Sequence, residues 1–206
     1  MLRFFFFLVV FFVCSCQKNR SGTETAPSNE PRRFQLLKPE ETGIDFVNRL
    51  TERPDLNIFT YLYIYNGAGV AAGDVNNDGL TDLYFTSNQE KNKLYLNRGN
   101  FRFEDVTEAA EAGGEFGWTT GVTMADVNAD GKLDIYVSMV GGHPGLNGRN
   151  LLFINKGNDE KGIPLFENEA ARYGLDLVGY STQAAFFDYD LDGDLDLYVG
   201  NDTVEN

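Results

Sequence analysis

The chain has 206 residues and a formal net charge of −14, because 31 acidic residues outnumber 17 Lys and Arg. That balance argues against a nucleic-acid-binding protein, since binding to phosphates needs clusters of Lys and Arg. Hydrophobic residues make up 42% of the chain and aromatic residues 14%, so it can bury a core, and global disorder is excluded. The length suits one domain, or part of a larger one.

The N-terminal residues predict a targeting segment that is separate from the fold. A positively charged start precedes an apolar run from Phe4 to Val13, which is too short for a bilayer span of about 20 residues. This arrangement, with small residues at its exit, is typical of a secretory signal peptide. The exit VCSC resembles a bacterial lipobox, and Cys16 fits the acylated position better than Cys14 because a small Ser precedes it. We predict a lipoprotein signal peptide over residues 1–16, with an unlipidated leader as the alternative.

Residues 17–33 predict a flexible tether between the lipid and the fold. They are polar, contain two prolines and lack an aliphatic run. The predicted location is therefore the bacterial cell envelope, lipid-anchored on the outer membrane and facing the periplasm or the surface. Contact with the membrane is expected through the N-terminal lipid only. Both cysteines lie in the leader, so residues 17–206 cannot form an internal disulfide.

Beyond the tether, the chain repeats one unit of short strands separated by turns. The unit begins with a stretch of small residues at 69–73 and continues through an acidic hairpin into an aromatic strand at 82–85. Further copies of the unit begin at 121 and at 181. Four short strands in a period of about 50 residues are typical of a β-propeller blade. We predict that 34–206 is all-β, a partial β-propeller of four-stranded antiparallel blades. The predicted blades cover about 69–106, 121–167 and 181–206.

The composition of each strand predicts its place in a blade. Strands rich in Gly, Ala and Val suit the crowded centre, and strands that are apolar on both faces suit the space between blades. The segments 107–113 and 168–174 predict helical turns between blades, and 34–43 resembles an outer strand followed by such a connector. About two and a half blades are present, whereas propellers close with about four to eight. We therefore expect the chain to be the N-terminal part of a longer protein.

The acidic hairpins share the pattern D-x-[DN]-x-D-G-x-x-D at 74–82, 126–134 and 188–196. A tight turn needs only Asn-Gly or Asp-Gly, so the additional oxygen acceptors require another explanation. Calcium binds about six to eight oxygens from carboxylates, carbonyls and water, whereas magnesium prefers octahedral, water-rich sites. An EF-hand would need a Glu at its twelfth position, where these copies have Phe85, Val137 and Val199. The pattern predicts about three calcium sites in hairpins.

Each predicted site combines four side chains with the carbonyl of the seventh loop residue, and a Gly permits the sharp turn. The glycines are Gly79, Gly131 and Gly193. The predicted ligands are Asp74, Asn76, Asp78, Leu80 and Asp82 in the first loop; Asp126, Asn128, Asp130, Lys132 and Asp134 in the second; and Asp188, Asp190, Asp192, Asp194 and Asp196 in the third. The third loop has one more carboxylate among its side-chain ligands, so we expect it to bind calcium most tightly.

These loops and their flanking strands resemble the FG-GAP (VCBS) repeats of integrin α-subunit propellers and of bacterial surface proteins. The stretch TGIDFVNRL followed by the first blade is similar to the N-terminal part of large bacterial VCBS-repeat lipoproteins of the ASPIC/UnbV-associated type. The resemblance covers about residues 34–206, and the ASPIC/UnbV domain itself is not seen in this sequence. It implies a calcium-binding propeller that presents a surface to other molecules.

The remaining candidate residues do not predict chemistry. His143 is the only histidine and lies in GGHPG, so we expect it to be exposed in a loop. No second His or Cys is present in the body of the chain to complete a metal site with it. Trp118 precedes the second inner strand and is expected to contribute to packing.

The predicted function is a non-enzymatic, calcium-binding propeller that binds a protein or a glycan at the envelope. One alternative is a calcium-dependent polysaccharide lyase, which would need a basic or aromatic cluster near a metal-held uronate. Beside the acidic loops, Lys132 is the main basic residue. The other alternative is a structural segment of a longer surface protein, because a fold does not by itself determine function.

Overall fold

The computed structural model describes residues 34–202. The predicted leader, the tether and residues 203–206 lie outside that range, so acylation of Cys16 stays a prediction. The compact unit that holds the sheets begins at Leu37. In the described range, no helix is both long enough and apolar enough to cross a membrane.

The first sheet is a four-stranded antiparallel meander. Its strands β1 (Val70–Gly73), β2 (Asp82–Phe85), β3 (Lys93–Asn97) and β4 (Phe103–Asp105) pair in chain order. The three consecutive side chains Leu94, Tyr95 and Leu96 are all buried, so β3 is covered on both faces. This is the arrangement predicted for the first blade.

The second sheet repeats this meander with longer strands. It consists of β5 (Trp118–Ala125), β6 (Asp134–His143), β8 (Leu151–Asn158) and β9 (Pro164–Asn168), while the short β7 (Leu146–Asn147) pairs with the end of β6. The sequence predicted a loop around His143. The structure instead extends β6 into this insertion and turns it back as a small hairpin.

The third sheet consists of β10 (Ser181–Phe187) and β11 (Asp196–Asn201), which pair antiparallel. It packs on the second sheet through a cluster that includes Tyr136, Leu152 and Ala184. The described chain is thus all-β apart from two single-turn helices, with three successive antiparallel sheets that form a partial β-propeller.

The two short helices are α1 (Pro39–Thr42) and α2 (Ala170–Tyr173). Each ends at a glycine in the left-handed conformation, Gly43 at φ 81° and Gly174 at φ 69°. The helical turn predicted at 168–174 is confirmed by α2, whereas 107–113 forms turns without a helix. The residues before α1 form no strand, so the outer strand expected at the start of 34–43 is wrong.

Close approach between the sheets explains the small residues of the inner strands. A Cβ added at Gly69 would lie 2.7 Å from the carbonyl oxygen of Thr120, and one added at Gly121 would overlap the carbonyl of Thr182. Backbone atoms cannot move aside as a flexible side chain can. The inner strands therefore approach so closely at these points that no side chain fits between them.

Candidate metal centres

The three acidic loops adopt one backbone conformation. The fourth residue of each loop has a positive φ, with 57° at Asn77, 57° at Ala129 and 63° at Leu191. The sixth residue is the predicted glycine in each case, with φ values of 85°, 84° and 97° in chain order. Because Ala and Leu rarely adopt this conformation, its recurrence shows that the rest of the loop imposes it.

The first carboxylate of each loop accepts two backbone hydrogen bonds from the turn. Asp74 accepts from the N–H groups of Asp78 at 3.1 Å and Gly79 at 2.8 Å. Asp126 and Asp188 accept from the equivalent groups in their own loops at 2.7–3.1 Å. These bonds hold the carboxylate over the turn and orient it before any ligand binds.

The fifth and seventh residues complete the turn. The fifth carboxylate accepts from the backbone N–H of the seventh residue, as Asp78 does from Leu80 at 2.9 Å. Asp130 and Asp192 accept in the same way from Lys132 and Asp194, at 3.0 Å and 3.1 Å. The predicted calcium contacts of the seventh carbonyls stay predictions.

The ninth carboxylate connects each of the first two loops to the third strand of its sheet. Asp82 is fully buried and accepts from Val75 N–H at 3.0 Å and from Asn97 N–H at 2.8 Å. Asp134 accepts from Val127 and Asn155 at 3.0 Å and 2.8 Å. Burial raises the pKa of Asp82 to about 6 and also raises the pKa of Asp134. A nearby cation would oppose that shift, because it favours the ionised carboxylate.

The third loop brings three carboxylates together. Oxygens of Asp188, Asp190 and Asp196 lie within 4.8 Å of one another, and no other group of three acidic, His or Cys residues in 34–202 does so. Asp192 lies outside this group although the sequence placed it with them. A hydrogen bond with Asp192, and then the negative charge of Asp192, raise the pKa of neighbouring Asp194. The first two loops have Asn as their third residue.

The second loop contains its own cation. The Lys132 ammonium lies 2.7 Å from Asp130 Oδ2 and lowers the pKa of that carboxyl. Among the ion pairs of the described chain, this is the one that involves a loop carboxylate. Part of the negative charge of the second loop is thus neutralised by the protein itself.

Asparagines from the second sheet support the first loop. Asn155 Nδ2 donates to the carbonyl of Val75 at 2.7 Å, and Asn158 Nδ2 donates to that of Asn76 at 2.7 Å. Asn77 Nδ2 donates to Gly131 in the neighbouring loop at 3.1 Å. The sequence analysis did not identify this role, although the match between NRGN (97–100) and NKGN (155–158) contained the signal.

His143 was wrongly expected to be exposed. It ends β6 with 8% of its surface exposed, and its ring nitrogens lie 2.8 Å from the carbonyl oxygens of Pro144 and Thr60. The hairpin formed by the insertion turns the ring onto Tyr61, with ring centroids 5.2 Å apart. Trp118 is 2% exposed in the same cluster, as its predicted packing role requires.

Comparisons with known proteins find similar sequences. The chain is similar to cartilage acidic protein 1 from Xenopus tropicalis, with 24% identity over 172 residues, 81% of this chain and 24% of that protein. The human protein of that name is 29% identical over 142 residues, which are 66% of this chain and 20% of that protein. The Mus musculus protein is 33% identical over 69 residues, which are 34% of this chain and 11% of that protein. The chain therefore spans no more than about a quarter of these relatives.

A family match identifies the repeated unit directly. Residues 74–137 match the FG-GAP-like repeat. The match runs from the first acidic loop into β6, just beyond the second loop. It supports the FG-GAP part of the predicted resemblance, while the bacterial ASPIC/UnbV lipoprotein type stays a prediction. The chain therefore carries an FG-GAP-like repeat within a partial β-propeller.

Proposed function

We propose that this chain is a calcium-stabilised propeller module that binds a protein or glycan partner and catalyses no reaction. The main support for the proposal is the backbone conformation and hydrogen-bond pattern that the three acidic loops share. In each, backbone N–H groups orient the first and fifth carboxylates, while other oxygens of the loop remain available. A set of carboxylate, amide and carbonyl oxygens is the donor set that calcium takes in proteins.

The chemistry of each loop accounts for what bound calcium would do. The first, third, fifth and ninth side chains and the seventh carbonyl would hold the ion. Its charge would offset repulsion between carboxylates, which is greatest in the third loop, where three lie within 4.8 Å. The loops would then be stable hairpins that connect the inner strand of each blade to the second.

Two observations favour a binding role over catalysis. The matched repeat is FG-GAP-like, the type of module that the sequence resemblance connects with adhesion. A lyase would need several basic residues around a metal-held uronate. Among residues 34–202, only Lys132 forms an ion pair with a loop carboxylate.

Calorimetric titration with calcium tests the metal part of the proposal. We expect binding at about three sites, a higher melting temperature in calcium than in chelator, and weaker responses to magnesium. The double variant Asp78→Ala plus Asp130→Ala should lose two of the sites, while Glu160→Gln, an exposed residue outside the loops, should lose none. Absence of binding heat in the unmodified chain, or an unchanged titration in the double variant, would contradict the proposal.

The partner and the location need their own measurements. Immobilised protein should retain a glycan or an envelope protein in calcium and release it in chelator; retention of neither class would count against a binding module. We also propose that the chain is a lipoprotein of the bacterial envelope. In that case Cys16→Ser should move it from the membrane fraction to the soluble fraction, and Cys14→Ser should not. A Cys16→Ser protein that stays in the membrane fraction would rule out the lipid anchor.

A further inference from the structure

A cleft of about 270 Å³ opens at the end of the inner strands that is opposite to the acidic loops. The loops follow the last residues of β1, β5 and β10, whereas the cleft lies where these strands begin. Gly69, Gly121 and Thr182 form part of its floor. The cleft is therefore distinct from the candidate calcium sites, although the same three strands build both.

Aromatic rings form one wall of this cleft. Tyr61 meets Trp118 edge to face with ring centroids 5.5 Å apart, and it meets Tyr63 at 5.9 Å in a similar arrangement. Tyr61 is 5% exposed, yet its hydroxyl has no hydrogen-bond partner among residues 34–202. The hydroxyl oxygen itself is not fully enclosed by the described residues. It borders the cleft, where a ligand or water can supply the missing bond.

The charge of the cleft is negative and has no counterion within the described chain. Asp202 lines it, and its carboxylate makes no ion pair with any Lys or Arg of residues 34–202. Among the described residues, none with a positive charge lines the cleft. Burial, and then the charge of Asp202, raises the pKa of the Tyr61 hydroxyl, which therefore stays neutral. Ring faces carry negative electrostatic potential, so the rings and the carboxylate attract the same sign of charge.

We propose that this cleft binds a small organic cation that carries an alkylated ammonium group. The half-buried Tyr63 ring contacts its methyl or methylene groups through cation–π attraction, which is effective within about 6 Å of a ring centroid. Asp202 supplies the countercharge, and the Tyr61 hydroxyl is available to a polar substituent of the ligand. The inference extends the proposed binding role and rests on it only in treating the chain as a binding module.

Other ligand classes fit the cleft less well. A hard metal ion needs about six to eight oxygen ligands, and a single lining carboxylate does not provide them. A sugar ring stacks on an open aromatic face, but Trp118 and Tyr61 are 2% and 5% exposed because they cover one another. An anion is repelled by Asp202. A compact ammonium group needs few oxygens and only a small area of one ring face, and Tyr63, which lines the cleft and is half-buried, is the ring available to it.

The single tryptophan of the chain makes the test direct, because Trp118 borders the cleft. Choline chloride is titrated against the 206-residue protein in chelator, with tryptophan fluorescence and calorimetry as readouts. Sodium chloride at equal ionic strength and the neutral choline isostere, in which a tert-butyl group replaces trimethylammonium, are the comparison ligands. We expect saturable binding of choline, no response to the salt, and binding of the isostere that is weaker by about ten-fold or more.

Matched variants connect binding to the cleft. Asp202→Asn and Tyr63→Leu should each weaken choline binding by about ten-fold, whereas Tyr63→Phe and Glu160→Gln should keep it within about two-fold. Circular dichroism of each variant separates loss of binding from loss of fold. Equal affinity for choline and its isostere, no saturable binding of choline, or an unchanged affinity in folded Asp202→Asn would each overturn the inference. Because the assay is run in chelator, these outcomes are independent of whether the acidic loops bind calcium.

Discussion

The first and third acidic loops carry the same pattern in different surroundings. In the first loop the ninth carboxylate, Asp82, is fully buried between two backbone N–H groups, and asparagines of the second sheet hold the turn. Among residues 34–202, Asp196 of the third loop accepts a hydrogen bond only from Tyr189 N–H. Leu191 at the tip of this loop is 86% exposed. In the part of the chain that the structure describes, other strands thus support the first loop, whereas the hydrogen bonds described for the third loop come from its own backbone.

Within residues 34–202, the same motif therefore occurs with different charge and different burial. The first loop contains three Asp and two neutral Asn, and it is part of the buried contact between sheets. The third loop concentrates three carboxylates within 4.8 Å at the surface. We expect that the first loop contributes to stability without metal, and that the third becomes favourable only when a cation binds.

The largest expected effect comes from removing the ninth carboxylate in chelator. Asp82→Ala leaves the buried N–H of Val75 and the partly buried N–H of Asn97 without partners, which should cost about 2 kcal/mol or more. Asp196→Ala exposes a single N–H to water and should cost less than about 1 kcal/mol. Urea denaturation measures both. Equal losses of stability would show that the two loops are supported alike.

Replacing the residue at the third position of each loop should reverse the charge difference between the first and third loops. In chelator, Asp190→Asn should raise the melting temperature slightly, because it removes repulsion from Asp188 and Asp196. In calcium the same variant should weaken binding at the third site by about ten-fold, because the number of charged ligands tunes affinity. Asn76→Asp should produce the opposite pair of effects in the first loop. If Asp190→Asn shifts the melting temperature in the same direction in both buffers, the account of the third loop is wrong.

A smaller change in calcium affinity is expected at the second loop. Its Lys132 ammonium pairs with Asp130, so a metal ion must displace it. Lys132→Leu, which copies the seventh residue of the first loop, should raise calcium affinity at this site by about two- to five-fold, the range expected for an exposed ion pair. Lanthanide luminescence in a protein whose other loops carry Asp78→Ala and Asp192→Ala isolates the site. Lower affinity in Lys132→Leu would exclude competition by the lysine.

The smallest effect on stability is expected at a carboxylate that already forms ion pairs. Glu169, just before α2, pairs with Lys156 and with Arg172, and Lys156 contributes most to lowering its pKa. A lowered folded-state pKa stabilises the protein above the unfolded pKa, and this contribution is lost as the pH falls through the folded value. Glu169→Gln should therefore lower the urea midpoint at pH 7 and make little difference below about pH 4. A constant difference at all pH values would indicate a packing effect.

Local patterns in the sequence were sufficient to predict the repeat, the first and second blades, the paired strands of the third, and the position of every acidic loop. Strand order follows from short turns between adjacent segments, and the glycine at each sixth position follows from the conformation that the turn requires. The loop at 140–149 was predicted less well. It contains Gly, Pro and Asn, which favour turns, yet contacts with the 56–64 segment stabilise a hairpin there and bury His143.

The sequence by itself determined the elements that depend on neighbouring residues: the strands, the turns, and a carboxylate pattern that repeats three times. Only the tertiary structure decided which carboxylates are buried, which asparagines support the first loop, and which residues meet at the cleft. Tyr61, Trp118 and Asp202 are far apart in the chain and share no spacing pattern. They come together because the inner strands of successive sheets begin at the same end of the propeller, and that convergence is a property of the packed sheets.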